Sequence, residues 1–255
     1  MRVITIFLWA SVAVQMTIGC QNRQAGQTQQ GEQSRDYHWI CRQGEHLGAE
    51  IVFARMGDVF CGEYTQGNSN ISIMGMIDGE GNVSGVSAVM PDGSIAGKLS
   101  GKIIGDKFDA VWLPTPTGIE ISKSSEMKLV LNTSEEQKKG TLLSPPEAPF
   151  LNNLYGYDIG EREMKLIHVE RGAKKEEVIF HLHIEESGID EIMIDIQGAA
   201  PINGNSFRYK EKGYEFEITA YNGFITLKTI SGNLNGHKAD GVYPEKIIND
   251  VFKVN

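Results

Sequence analysis

Between Asn82 and Leu113, NVSGVSAVMPDGSIAGKLSGKIIGDKFDAVWL, polarity changes at nearly every residue. Ile95, Gly97, Leu99, Gly101 and Ile103 fall on one parity, and Ala96, Lys98, Ser100 and Lys102 on the other. A period of two gives a strand one buried and one wet face. Phe108, Ala110 and Trp112 repeat the pattern against Lys107 and Asp109. Pro91-Asp92-Gly93 and Gly105-Asp106 carry the turn chemistry that separates the strands. Glycine inside a strand normally weakens it. Gly97 and Gly101, flanking Leu99 on the apolar parity, make sense where large and small side chains alternate inside a narrow barrel. The stretch predicts three antiparallel strands of a curved meander that closes on itself or nearly does.

The chain on both sides follows the same style. Strands are predicted at Tyr37–Cys41, Ala49–Ala54, Val59–Tyr64, Ile71–Ile77 and Glu126–Leu131, with turns at Gly67-Asn68, Asp78-Gly79 and Thr117-Gly118. Between Asp36 and Asn132 no window of twelve residues carries helical periodicity. Ser134–Pro149, SEEQKKGTLLSPPEAP, breaks the pattern with charge and then proline, and reads as a linker in which Ser134 caps a helical turn to Lys139.

From Phe150 the alternation resumes. Val178, Phe180, Leu182 and Ile184 oppose Ile179, His181, His183 and Glu185, and Ile192, Ile194 and Ile196 oppose Met193, Asp195 and Gln197. Tyr214, Phe216 and Ile218 alternate with Glu215, Glu217 and Thr219, and Asn222-Gly223 is a hairpin signal. Glu245–Asn255 spaces Ile247, Ile248, Val251 and Phe252 as a short packing helix would. The expected fold is all-β, with two tandem antiparallel meander β-barrels or half-barrels at residues 36–133 and 150–255 and little helix. Each half opens near a glycine–tyrosine element, Gly62-Glu63-Tyr64 or Tyr155-Gly156-Tyr157.

Residues 1–20, MRVITIFLWASVAVQMTIGC, have a single charge at Arg2, an apolar core and small residues before a cysteine. This is a secretory leader, too short for a spanning helix. Its end, Thr17-Ile18-Gly19-Cys20, resembles the lipobox of bacterial lipoproteins, departing from it at Thr17, where leucine is usual. The resemblance implies that Cys20 is acylated and becomes the mature N-terminus. With Gln21 rather than aspartate after the cysteine, it implies residence at the outer membrane. Residues 21–35, QNRQAGQTQQGEQSR, have no apolar side chain larger than alanine and are expected to be a disordered tether. The second half, ending in Ala239-Asp240-Gly241-Val242-Tyr243-Pro244-Glu245, resembles small barrel domains of uncharacterised bacterial lipoproteins, of lipocalin-like and lysozyme-inhibitor-like kind.

Without residues 1–35 the chain keeps 21 basic residues (24 less Arg2, Arg23 and Arg35) and 32 acidic ones (33 less Glu32), a net charge of −11. Charge of this sign and size argues against nucleic acid and anionic membrane surfaces as partners and allows a basic one. Cys41 and Cys61 form an even pair in an exported chain and are expected to make a disulfide.

Three constellations are candidates for chemistry. His181-Leu182-His183-Ile184-Glu185 places two imidazoles and a carboxylate on one strand face, about 7 Å between neighbours, which binds a metal if a further ligand converges. The same residues serve equally as a solvated face. Asp78-Gly79-Glu80-Gly81-Asn82 spaces oxygens as a calcium loop begins, without the twelve-residue pattern or its final glutamate. Acid pairs such as Glu185/Glu186, Asp190/Glu191 and Glu215/Glu217 are candidates to flank a glycosidic bond, and equally ordinary acids of exposed strand edges. Trp39, Tyr155, Tyr157 and Tyr221 are either core or the lining of a ligand surface. No catalytic residue, cofactor or metal is assigned. The expected function is that of an envelope-anchored binding module, with a protein, glycan or small apolar molecule as ligand. The alternatives are a hydrolase of envelope polysaccharide and a structural envelope component.

Overall fold

The computed structural model describes residues 35–87, 95–115, 123–134, 143–147, 149–158, 163–174, 176–186, 192–211, 213–234, 236 and 239–246. The leader, Cys20, the tether up to Ser34 and residues 247–255 lie outside them. The described residues contain no helix. Glu245 and Lys246 end a strand instead of opening the expected C-terminal helix.

Eight strands make the first barrel: β1 (Arg35–Cys41), β2 (Glu50–Met56), β3 (Val59–Gln66), β4 (Ser69–Ile77), β5 (Asn82–Ser87), β6 (Gly97–Ile104), β7 (Lys107–Pro114) and β8 (Ser125–Leu131). Each pairs antiparallel with its neighbours in sequence, and β1 closes on β8 through Trp39↔Leu131, Ile40↔Val130 and Cys41↔Leu129. The second barrel repeats the plan with β9 (Asn152–Asp158), β10 (Glu163–Arg171), β11 (Glu177–Glu186), β12 (Ile192–Asn203), β13 (Ser206–Glu211), β14 (Tyr214–Tyr221), β15 (Phe224–Ser231) and β16 (Gly241–Lys246). It closes where β16 meets β9. Both are complete up-and-down barrels, the closed form of the expected meanders. Closure pairs the edge strands that an open sheet would leave exposed.

The alternation explains why the sheets roll. In β14 Tyr214, Phe216, Ile218 and Ala220 are buried while Glu215, Glu217, Thr219 and Tyr221 between them are not. In β7 Phe108, Ala110 and Trp112 turn inward. The first lumen is filled by Trp39, Phe53, Phe60, Phe108, Trp112 and the aliphatic side chains around them. The second is filled around Phe150, Phe180, Phe207, Phe216 and Tyr243. Among the described residues, these side chains pack together inside both barrels. Trp39 and Tyr155, weighed as ligand-surface aromatics, belong to these cores.

The glycines make room for the large side chains. A Cβ on Gly97 would lie 2.6 Å from the indole of Trp112, and one on Gly62 would lie 1.9 Å from the carbonyl oxygen of Val52. Gly62 sits on the third strand of its barrel and Gly156 on the first of the other. The two glycine–tyrosine elements are therefore not equivalent positions of a repeat.

The expected Cys41–Cys61 disulfide is not formed; both thiols are free. Cys41 points into the first lumen. Cys61 sits on the opposite parity from Phe60 and Gly62 and packs outside the barrel. Cys41 donates its N–H to Ala49, five residues along β2 from Ala54, the partner of Cys61. That offset alone is roughly 17 Å along the strand, whereas a disulfide needs Cα atoms within about 7 Å.

Candidate functional site

Aromatic and aliphatic side chains pack inside both barrels, and two polar clusters stand outside them, one on the wall of the second barrel and one between the barrels. On the outer wall of the second barrel, three strands run in register. His183 stands opposite Asp195 and Leu166, and His181 opposite Gln197 and His168. Alternation turns Leu182 and Ile184 into the core and leaves His181, His183 and Glu185 outside. The expected face is therefore real, and the register adds an acid that sequence reading had not joined to it.

His181 Nε2 donates to Asp195 Oδ1 at 2.6 Å. His183 Nδ1 lies 3.9 Å from the other carboxylate oxygen of Asp195, and its Nε2 lies 3.8 Å from Glu185. One donor atom each from His181, His183 and Asp195 falls within a 4.8 Å cluster. Glu185, the carboxylate named from the sequence, flanks this trio instead of completing it. Asp195 is 56% exposed and the two histidines are half-buried, so the cluster opens to solvent.

The second region is the seam between the barrels. Val59, Met74, Val86 and Ile95 of the first barrel meet Tyr157, Phe224 and Val242 of the second, with Leu143 of the linker packed among them. Tyr157 and Tyr221 are spent here rather than on a ligand surface. Above this apolar patch, Lys98 of β6 reaches across to pair with Glu163 of β10. Tyr157 donates its hydroxyl to Glu163 at 2.8 Å. Lys165 lies 3.1 Å from Glu163 and 2.5 Å from Glu186. Burial would raise the Glu163 carboxyl, but Lys165, Lys98 and Tyr157 outweigh it and hold the group below the usual carboxylate range. Burial would likewise lower Lys165, and Glu163 and Glu186 carry it above the usual amine range instead. Lys165, Tyr157 and Tyr243 line a cavity of about 260 Å³ with Lys98, Ser84 and Asp240. Both lysines are already paired, Lys98 with Glu163 and Lys165 with Glu163 and Glu186, which is the arrangement of a fastener.

A neighbouring cavity of about 260 Å³ brings together Asp58, Asp78 and Asp240. Each acid already has a task. Asp58 pairs with Lys228 across the seam. Asp240 accepts the Thr229 N–H at 2.5 Å. Asp78 accepts from the Glu80 N–H at 2.8 Å, the Asn82 N–H at 2.9 Å and the Asn82 side-chain amide at 2.7 Å. Those bonds, the Asn82 side chain first, hold its carboxyl below the ordinary range, opposite to what a general acid needs. They also aim both Asp78 oxygens at N–H donors rather than at a calcium ion. Glu215 pairs with Lys210 and Glu217 with Arg208, while Glu185 and Glu186 lie on opposite faces of β11. Asp190 and Glu191 lie outside the described residues.

The sequence named His181 and His183. It missed Asp195 and the whole seam network, Lys98, Tyr157, Glu163 and Lys165. Asp195 was within reach: five residues separate Glu186 from Ile192, and pairing outward from those two sets Asp195 opposite His183. The seam joins strands 65 residues apart, and no local pattern reports such a contact. Comparison of the chain with protein-family models, with curated proteins and with solved structures finds no match.

Proposed function

We propose that this chain is an envelope-anchored lipoprotein, held at the outer membrane through acylated Cys20, that acts as a binding module for another envelope component. The leader ending Thr17-Ile18-Gly19-Cys20 supports the anchor. The observation that carries the binding mode is the pair of filled lumens. Small β-barrels that hold small molecules keep an open interior for them. The side chains packed inside both barrels support recognition through the outer walls, where a protein partner fits better than an apolar molecule in a barrel mouth. The acids of the seam cavity are committed to structural bonds, so they do not argue for hydrolysis.

Two readouts on one preparation test the proposal. Organic extraction of the purified protein should release no stoichiometric small molecule. Affinity capture from its own envelope extract should retain a defined envelope protein. A bound lipid or small apolar ligand at one per chain, or the absence of any retained envelope component, overturns the reading. Labelling cells with a radioactive fatty acid should mark the wild type and not Cys20→Ala; an unlabelled wild type sinks the anchor.

A further inference from the structure

We propose that His181, His183 and Asp195 form a binding site for a divalent transition-metal ion of the zinc or copper(II) class. The inference is independent of what the rest of the surface binds.

The donors stand on two adjacent strands of a closed barrel. Their backbone positions are set by ladder pairing, His183↔Asp195 and His181↔Gln197. The inward neighbours Leu182, Ile184 and Ile194 are fixed in the core. A loop would leave such a trio adjustable; here only side-chain torsions remain. The three donor atoms lie within 4.8 Å of one another. Four-coordinate zinc, with bonds of about 2.0–2.1 Å, asks for donors about 3.4 Å apart. Rotations that shift side-chain tips by about an ångström cover the difference.

The hydrogen bond already present marks the ion's place. His181 Nε2–H points at Asp195 Oδ1 across 2.6 Å. A cation takes the place of that hydrogen: the ring N–H passes through solvent from Nε2 to Nδ1, Nε2 presents its lone pair, and the carboxylate turns from acceptor to ligand. His183 approaches the second Asp195 oxygen from the adjacent position at 3.9 Å. Two imidazoles and one carboxylate form a borderline donor set. They favour zinc, copper(II) and nickel over magnesium or calcium, which prefer all-oxygen shells. Three protein ligands leave a further position facing solvent, as in sites that exchange metal or accept an outside ligand, not in closed structural sites. The flanking charge suits a cation: Glu185 stands 3.8 Å from His183, and the chain is acidic overall.

The test uses the untagged full chain. Zinc chloride and copper(II) chloride are each titrated calorimetrically into the wild type and into His181→Gln, His183→Gln and Asp195→Asn. At least one ion should bind saturably at one per chain. Each substitution should weaken it by at least about tenfold, as even indirect disturbance of a metal site does. Magnesium chloride should give no saturable heat. Circular dichroism checks the fold of each variant. With copper(II), the ring signals of His181 and His183 should broaden together in NMR spectra of the wild type. The proposal is overturned if neither ion binds at one per chain, or if folded variants bind as the wild type does.

Discussion

Gly97 has no room for a methyl group. Its missing Cβ would sit 2.6 Å from the Trp112 ring and 2.6 Å from the Leu113 carbonyl oxygen. Both neighbours belong to the paired strand, and Trp112 is itself clamped against Tyr64 in a stacked pair at 5.7 Å. Overpacking of this kind costs about 1–3 kcal/mol. Gly105 is the useful contrast: its φ is +61°, but nothing lies near its missing Cβ. Alanine there costs only the left-handed backbone, about 1 kcal/mol. Urea midpoints should therefore fall further for Gly97→Ala than for Gly105→Ala. Equal losses would mean that the lumen is not close-packed at Trp112.

At the scale of single strands, side-chain parity decides what can meet. Cys41 on β1 and Cys61 on β3 face opposite sides of the same wall, so spacing in sequence, which pointed to a disulfide, was the wrong measure. Burial pushes the Cys61 thiol up to about 11, leaving little thiolate at neutral pH. Alkylation after unfolding, without prior reduction, should therefore modify both cysteines. Reductant should leave the melting temperature unchanged, and the native Cys61 should react slowly at pH 8. A drop in melting temperature with reductant would restore the bridge. Parity is also why so much of the fold was legible. In β7, β11 and β14 the division into inner and outer faces is a local property, and glycine-bearing corners mark where each strand ends. β10 shows where legibility stops. Glu163 and Lys165 lie on the same parity as Ile167 and Val169, so the strand reads as a flawed alternation. The flaw marks the end of the barrel where charges leave the core and meet Lys98. Likewise His181 and His183 share a strand and announced themselves, whereas Asp195 needed the pairing register. Strand pattern reports faces; it does not report which distant strand lies alongside.

Across the whole seam, apolar contact and charge have different tasks. Val59, Met74, Val86, Phe224 and Val242 supply non-directional adhesion, while Lys98, Glu163, Lys165 and Glu186 fix how the barrels meet. Replacing Lys98 by alanine removes one of two cations from a mostly buried carboxylate. Breaking a fully buried pair costs about 3–5 kcal/mol. Lys98 is 31% exposed and Lys165 stays on Glu163, so solvent screening brings the expected loss to about 1–2 kcal/mol. The pH dependence has a defined sign. The folded Glu163 carboxyl is held below its ordinary 4.5, so its contribution is present above that pH and fades as pH falls through the depressed value. Lys165 is carried above its ordinary 10.5, so its contribution is present below that pH and fades as pH rises through the elevated value. Melting temperatures between pH 3 and 7 should fall less steeply for Glu163→Gln than for the wild type, because the glutamine has no proton to take up. At pH 7 the same variant should melt below the wild type, since Lys98 and Lys165 lose their shared counter-charge. If the acid limbs of the two proteins superimpose, this network does not hold the seam, and the apolar patch alone joins the barrels.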